Sequence, residues 1–217
     1  MSKFKKVAKH DLFNLIILHV AVSCEKMKND CNESQKYLAN HEDKISNRLV
    51  AQYFDKNSLE LIFILQKPEN FNAESDTFAG RTDISVMSSD TLKNRSAYLT
   101  IECKRLDGGK TLNKKYVKEG ITRFVEHPPR YSSYYGKSIM LGYIVKAING
   151  ISENTKKIDD IQRELLAGVQ ISEMQFVSDD GKGFTRYHCT YQGKDIIDVE
   201  LAHLFYDFSS VVDKKDS

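Results

Sequence analysis

Three side chains of this sequence are spaced so that they could form one metal-dependent site, with Asp83 and Glu102 as ligands and Lys104 beside them. If residues 98–106 form a strand, Glu102 and Lys104 point to the same face, because side chains alternate along a strand. Antiparallel pairing with the preceding strand would bring Asp83 within range of Glu102. Two facing carboxylates repel each other unless a proton or a cation joins them, so the pair either raises a pKa or makes a site for a hard divalent ion.

A divalent ion held in this way suits the hydrolysis of phosphodiester bonds. Asp83, Glu102 and the backbone carbonyl of Cys103 would supply oxygen ligands for Mg²⁺ or Mn²⁺, which accepts developing phosphate charge and acidifies a bound water. Lys104 would then orient or deprotonate that water. The structural alternative is an exposed ion pair between Glu102 and Lys104, which contributes about 0 to 1 kcal/mol and needs no ligand.

The periodicity of apolar residues predicts the elements that must position these side chains. The sequence predicts helices over residues 10–36, 40–54 and 116–125, with strands over residues 59–66, 82–86, 97–106 and 138–145. Asn40 is the predicted N-cap of the second helix. Residues 68–77 are predicted to form a polar loop. The order from residue 41 to residue 146 is therefore helix, three strands, helix, strand.

Beyond Gly150 the pattern changes to a helix that carries Ile158, Ile161 and Leu165. Strands are predicted near residues 168–178, 184–191 and 195–207, and we expect them to form a small antiparallel sheet. We predict one α/β domain over residues 1–217, with its core at 41–146, a helical N-terminal extension at 1–40 and an α/β C-terminal extension at 147–217.

The segment Gly80-Arg81-Thr82-Asp83, followed after eighteen residues by Glu102-Cys103-Lys104, resembles the motif of the PD-(D/E)xK nuclease superfamily. This superfamily includes restriction endonucleases, Holliday-junction resolvases and many phage-defence nucleases. Its core has the order helix, three-stranded meander, helix, strand, which the periodicity gives independently for about half of the chain. Thr82 stands where the motif has proline.

The resemblance implies a restriction-endonuclease-like core and a metal-dependent DNA endonuclease. Asp83, Glu102 and the carbonyl of Cys103 would bind Mg²⁺ or Mn²⁺, and Lys104 would position the attacking water. In many superfamily members an acidic residue of the first core helix completes the metal site directly or through water, and Glu42 is the candidate here. On a helical wheel Glu42 falls at the edge of the apolar stripe, although its place near a helix N-terminus also gives it a structural explanation.

Three further residues are candidates for supporting roles around the site. Tyr116 and Glu119 lie, with Arg123, on the helix that follows the strand carrying Glu102, and superfamily members often use a residue of this helix. His188 could contact phosphate or carry a proton. The structural alternatives are a core tyrosine, a solvated helix charge and a structural strand histidine.

The overall charge gives no argument for nucleic acid, since 32 Lys and Arg residues face 30 Asp and Glu residues. A local cluster of basic residues follows the motif, and two more flank an aromatic loop; they could neutralise phosphates and release counterions. These candidate DNA contacts are Arg105, Lys110, Lys114, Lys115, Lys118, Arg130 and Lys137.

The remaining composition favours a cytoplasmic protein. No apolar run approaches the roughly 18 residues that cross a bilayer, which excludes a membrane protein. The four cysteines show no zinc-binding spacing and imply a reducing compartment. By resemblance we expect DNA as partner and either a homodimer or a subunit of a larger bacterial anti-phage defence complex. The alternative function is a non-catalytic DNA-binding or assembly subunit with a nuclease-like fold.

Overall fold

A computed structural model describes residues 9–126, 129–131, 136–193 and 196–213 of the chain. Helices cover both faces of a large central sheet, which confirms the mixed α/β class. The helices are α1 (Lys9–Ser34), α2 (Glu42–Leu49), α3 (Ser89–Lys93), α4 (Lys110–Tyr116), α5 (Thr122–Val125) and α6 (Ile151–Leu165). Two π-helical segments continue them: Val50–Phe54 follows α2, and Val117–Ile121 joins α4 to α5. None of the helices in the described ranges is both long enough and apolar enough to cross a membrane.

The central sheet has the strand order β1-β4-β5-β6-β10-β9-β7, with β8 also paired to β9. Strands β5, β6 and β10 run parallel to one another, and the other neighbours are antiparallel. The strands are β1 (Ile62–Leu65), β2 (Pro68–Asn72), β3 (Thr77–Arg81), β4 (Ile84–Met87), β5 (Tyr98–Leu106), β6 (Lys137–Ile144), β7 (Gln170–Ile171), β8 (Gln175–Asp179), β9 (Phe184–Gly193) and β10 (Ile196–Asp207).

The two faces of β5 meet different helices because its side chains alternate. Leu99, Ile101 and Cys103 pack into the cluster that α1 and α2 contribute to. The opposite face carries Glu102, whose register partner Met140 belongs to the second apolar cluster, beneath α4, α5 and α6. The buried middle strand thus presents its polar residues to the α4–α5 side.

Residues 68–77 are not the polar loop that the sequence predicts. They belong to an antiparallel hairpin, in which β2 pairs with β3 and Phe71 stands opposite Phe78. The two rings lie 5.2 Å apart, and the Asn72 side chain accepts hydrogen bonds from the backbone of the turn. The hairpin makes a separate two-stranded sheet with many exposed side chains, so its sequence lacks the apolar pattern of a core strand.

Two further expectations need correction. The predicted buried strand at 59–66 is the edge strand β1, in which Phe63 is buried but Ile62 is 62 % exposed. The expected small C-terminal sheet does not exist as a separate unit, because β10 pairs with β6 and carries β9 with it. The C-terminal strands therefore extend the sheet that contains Glu102.

Candidate active site

The candidate catalytic residues converge on one atom, the Nζ of Lys104. Its ammonium lies 2.7 Å from Glu102 Oε1, 2.9 Å from Glu42 Oε1 and 3.5 Å from Asp83 Oδ2. It also donates a hydrogen bond of 2.7 Å to the backbone carbonyl of Cys103. The four groups that the sequence predicts as metal ligands therefore surround a single cation, which here is the ammonium.

Strand β5 and the start of β4 place two of the three carboxylates. Glu102 and Lys104 share a face of β5, as alternation requires. Asp83 precedes β4 by one residue, one step beyond the register pair Ile84 and Ile101. Its Oδ2 accepts a 2.7 Å hydrogen bond from the backbone N–H of Cys103, so the side chain continues the pairing of the two strands.

The third carboxylate comes from the beginning of α2. Glu42 is the first residue of the helix, and its Oε2 accepts a 3.1 Å hydrogen bond from the backbone N–H of Arg105. Asn40 is not the N-cap, which is His41. Instead, the backbone carbonyl and side-chain oxygen of Asn40 accept hydrogen bonds from the Arg105 guanidinium at 2.6 and 2.9 Å. These contacts hold the helix start against the end of β5.

Burial sets the electrostatics of the cluster. Glu102 is fully buried, whereas the Glu42 and Asp83 side chains are 27 % and 20 % exposed. Burial, reinforced by Asp83, raises the pKa of Glu102 to about 8 despite Lys104 and Arg123. Burial would lower the pKa of Lys104, but the three carboxylates together raise it. Glu102 thus favours a proton or further positive charge, while the ammonium remains charged.

Arg123 is a site residue that the sequence placed on the correct helix without giving it a role. Its Nη1 donates to Glu102 Oε1 at 2.7 Å and to the Tyr131 hydroxyl at 2.5 Å. Tyr131 in turn donates to the carbonyl of Arg81 at 2.7 Å. A buried carboxylate requires cationic partners, and this requirement could have indicated an arginine near Glu102. Nothing in the sequence indicated Tyr131.

The cluster has the donor set of a site for a hard divalent ion. Its ligands would be carboxylate and carbonyl oxygens, which Mg²⁺ and Mn²⁺ take. Among the described residues, Glu102 Oε2 is buried and has no hydrogen-bond partner, so a cation would satisfy it. Within the same ranges no group of three or more His, Cys, Asp or Glu side chains is arranged so that it could hold a metal ion. At this position the Lys104 ammonium fills the space among the carboxylates.

The three candidate supporting residues do not contact this cluster in the described part of the chain. The Tyr116 hydroxyl is fully buried and lies 2.9 Å from Nδ1 of His203. Glu119 is exposed on the π-helical segment. His188 Nε2 lies 3.3 Å from Glu200 Oε1 on the neighbouring strand β10. The structure thus gives Tyr116 and His188 other partners.

The candidate DNA contacts divide into exposed and engaged side chains. An exposed set lies on α4 and the π-helical segment after it: Lys110, Lys114, Lys115 and Lys118. Arg105 is tied to Asn40, as described above. Arg130 forms an ion pair with Glu126, and Lys137 forms one with Glu200. Of the aromatic loop between them, residues 132–135 lie outside the described residues.

Comparison of the chain with protein-family models, with curated proteins and with solved structures found no match. A function for this protein is therefore inferred from the residues and geometry of the cluster.

Proposed function

We propose that this protein is a metal-dependent nuclease that hydrolyses phosphodiester bonds in DNA. The observation that carries the proposal is the convergence of Glu42, Asp83, Glu102 and the Cys103 carbonyl around Lys104 Nζ. Hard oxygen ligands at a solvent-reaching position suit metal-assisted hydrolysis, and a lysine beside them can orient the water. Residue types and spacing predict this set except for Glu42, which the superfamily resemblance adds.

The surrounding topology supports the assignment to the PD-(D/E)xK superfamily. After α2, the strands β1, β4 and β5 form an antiparallel meander, and β6 then runs parallel to β5 after the α4–α5 segment. This is the element order that the superfamily resemblance implies, with the β2–β3 hairpin inserted. The proposal includes a cytoplasmic protein that acts on DNA as a homodimer or within a larger bacterial defence complex.

Each residue of the cluster has a defined task in this proposal. Asp83, Glu102, the Cys103 carbonyl and Glu42 would hold Mg²⁺ or Mn²⁺, which, when bound, stabilises phosphate charge and acidifies water. Lys104 would orient the attacking water through its ammonium, at the exposed side where Glu42 and Asp83 reach solvent. Arg123 keeps the Glu102 carboxylate oriented and partly neutralised.

One observation favours a second candidate, a non-catalytic DNA-binding or assembly subunit. The Lys104 ammonium pairs with all three carboxylates at once, as it would in a purely structural ion network. Under this candidate, the exposed lysines of α4 bind phosphate and the cluster holds α2 against β5.

Cleavage of defined substrates separates the two candidates. The full chain is incubated with supercoiled plasmid and with single-stranded DNA, duplex DNA and RNA oligonucleotides, in Mg²⁺, Mn²⁺ or EDTA. The nuclease proposal predicts products only with metal, and a fall in rate of about 100-fold or more in Asp83→Asn and Lys104→Ala. Glu164→Gln, which changes an exposed carboxylate on α6, is the matched control and should cleave like the parent. Binding without cleavage under every condition would support the second candidate.

A further inference from the structure

The ammonium of Lys104 occupies the position where the oxygen ligands of the proposed site point. Its four contacts, between 2.7 and 3.5 Å, are made to the same four groups that would ligate a divalent ion. We propose that Lys104 and the divalent ion are alternative occupants of one cation position, so that metal enters by exchange with the ammonium. This inference rests on the proposed function only in taking a hard divalent ion as the ligand.

The exposure of the carboxylates gives the ammonium a way out. Glu102 lies fully buried at the inner side of the cluster, while Glu42 and Asp83 reach solvent on its outer side. The Lys104 side chain is 6 % exposed, and its ammonium sits at the end of a flexible four-carbon chain. That chain can turn toward the Glu42 side without moving the backbone of β5. The ammonium therefore leaves into water, where its charge is hydrated at little cost.

Arg123 keeps the buried Glu102 carboxylate paired with a cation during the exchange. Its Nη1 donates to the same Glu102 Oε1 that Lys104 contacts, at the same distance of 2.7 Å. The guanidinium belongs to α5 and is held by Tyr131, so it stays when Lys104 moves. Glu102 thus keeps one cationic partner throughout, and its unpartnered Oε2 remains available for the incoming ion.

Exchange has a measurable consequence for metal affinity. Each metal ion that binds must displace an ammonium that three carboxylates hold in place. If the ammonium occupies the position in nine of every ten molecules, the apparent affinity for metal is about tenfold weaker than that of the free ligand set. Removing the ammonium should therefore strengthen metal binding, although a catalytic lysine is removed with it.

The test compares Lys104→Met with the parent chain by Mn²⁺ titration calorimetry and thermal melting. We expect Lys104→Met to be less stable without metal, to bind Mn²⁺ about tenfold more tightly, and to gain a larger increase in Tm from Mn²⁺. Lys67→Met is the matched control, because it removes an ammonium 3.0 Å from the buried carboxylate of Glu69, which is not one of the proposed metal ligands. Mn²⁺ should raise the Tm of Lys67→Met by the same amount as it raises the Tm of the parent chain.

A second measurement on the parent chain covers the case in which Lys104→Met does not fold. An amine-acylating reagent followed by mass spectrometry reports how accessible each lysine is. Exchange predicts that Mn²⁺ increases the labelling of Lys104 several-fold and leaves that of Lys67 unchanged. Folding of Lys104→Met only in the presence of Mn²⁺ would also support the proposal.

The outcomes separate this inference from the nuclease proposal. Unchanged labelling of Lys104, together with Mn²⁺ binding to Lys104→Met that is no tighter than to the parent, overturns the exchange even if the parent cleaves DNA. Tighter Mn²⁺ binding by Lys104→Met, with no cleavage by the parent on any substrate, supports exchange and counts against the nuclease. Absence of Mn²⁺ binding to either protein overturns both.

Discussion

Arg123→Met should destabilise the protein through Glu102, which is fully buried. The guanidinium makes a charge-assisted hydrogen bond of 2.7 Å to Glu102 Oε1 and a second hydrogen bond to Tyr131. A hydrogen bond to a charged group contributes about 1.5–3 kcal/mol, and a neutral one about 1 kcal/mol. Because Arg123 is 28 % exposed and Lys104 still neutralises Glu102, we expect a net loss smaller than the sum of these two contributions, about 2 kcal/mol.

Urea unfolding followed by circular dichroism measures this loss, since the chain has no tryptophan for fluorescence. Arg163→Met is the matched control: its guanidinium pairs with Glu173 at 3.4 Å, and both side chains are largely exposed. We expect about 0–1 kcal/mol there. Tyr131→Phe, which leaves the contact between Arg123 and Glu102 intact, should cost about 1 kcal/mol.

The double variant of Arg123 and Tyr131 completes a thermodynamic cycle. Because the two side chains share a hydrogen bond, their effects should be non-additive by about 0.5 kcal/mol or more. Two results would refute the reasoning: a loss in Arg123→Met no greater than in Arg163→Met, or strict additivity of the two changes. The first would mean that Glu102 does not depend on Arg123, and the second that Tyr131 does not hold it.

Three further predictions test the core and the basic surface. Burial lowers the pKa of His203 to about 3, so from pH 6.5 downward the unfolded chain takes up a proton that the folded protein excludes. Protonation of His203 should therefore leave the free energy of unfolding undiminished above pH 6.5 and lower it by about 2 kcal/mol at pH 5. Urea unfolding of His203→Gln should lack this loss. Gly142→Ala should lower stability by about 1–3 kcal/mol in the same assay, because a Cβ there would lie 2.7 Å from the Phe205 ring. Replacing exposed lysines by glutamine should reduce the salt dependence of DNA binding, measured by fluorescence anisotropy, by about one logarithmic slope unit for each phosphate that is no longer neutralised. The lysines to replace are Lys110, Lys114 and Lys118.

Short-range periodicity was enough to predict which residues meet at the site. The period of two along β5 places Glu102 and Lys104 together, and the preceding strand brings Asp83 beside them. The helical wheel marked Glu42 as a carboxylate at the edge of an apolar face, and the superfamily resemblance linked it to the site. The inferences about β5 and Asp83 need only the local conformation and the pairing of neighbouring strands.

Other features depend on contacts that a local pattern does not contain. The pairing of β10 with β6 joins segments far apart in the chain, so the C-terminal strands could not be assigned to the central sheet. The β2–β3 hairpin exposes much of its surface and carries no apolar alternation. The sequence placed Arg123 on the correct helix but not beside Glu102, because the π-helical segment Val117–Ile121 departs from the period of 3.6 on which a helical wheel depends.

The same π-helical segment determines how Lys104 is held. Gly120 lies in it, fully buried, and a Cβ at this position would come 2.6 Å from Cε of Met140 and 3.5 Å from Cγ of Lys104. The absence of a side chain lets the helix backbone pack directly on the aliphatic part of Lys104, which explains why that side chain is almost fully buried. The ammonium at the end of this packed chain points toward Glu42, Asp83 and Glu102. A glycine in the helix thus lets the strand side chains pack closely, and an alanine there would force Met140 to shift while meeting Lys104 only in ordinary van der Waals contact.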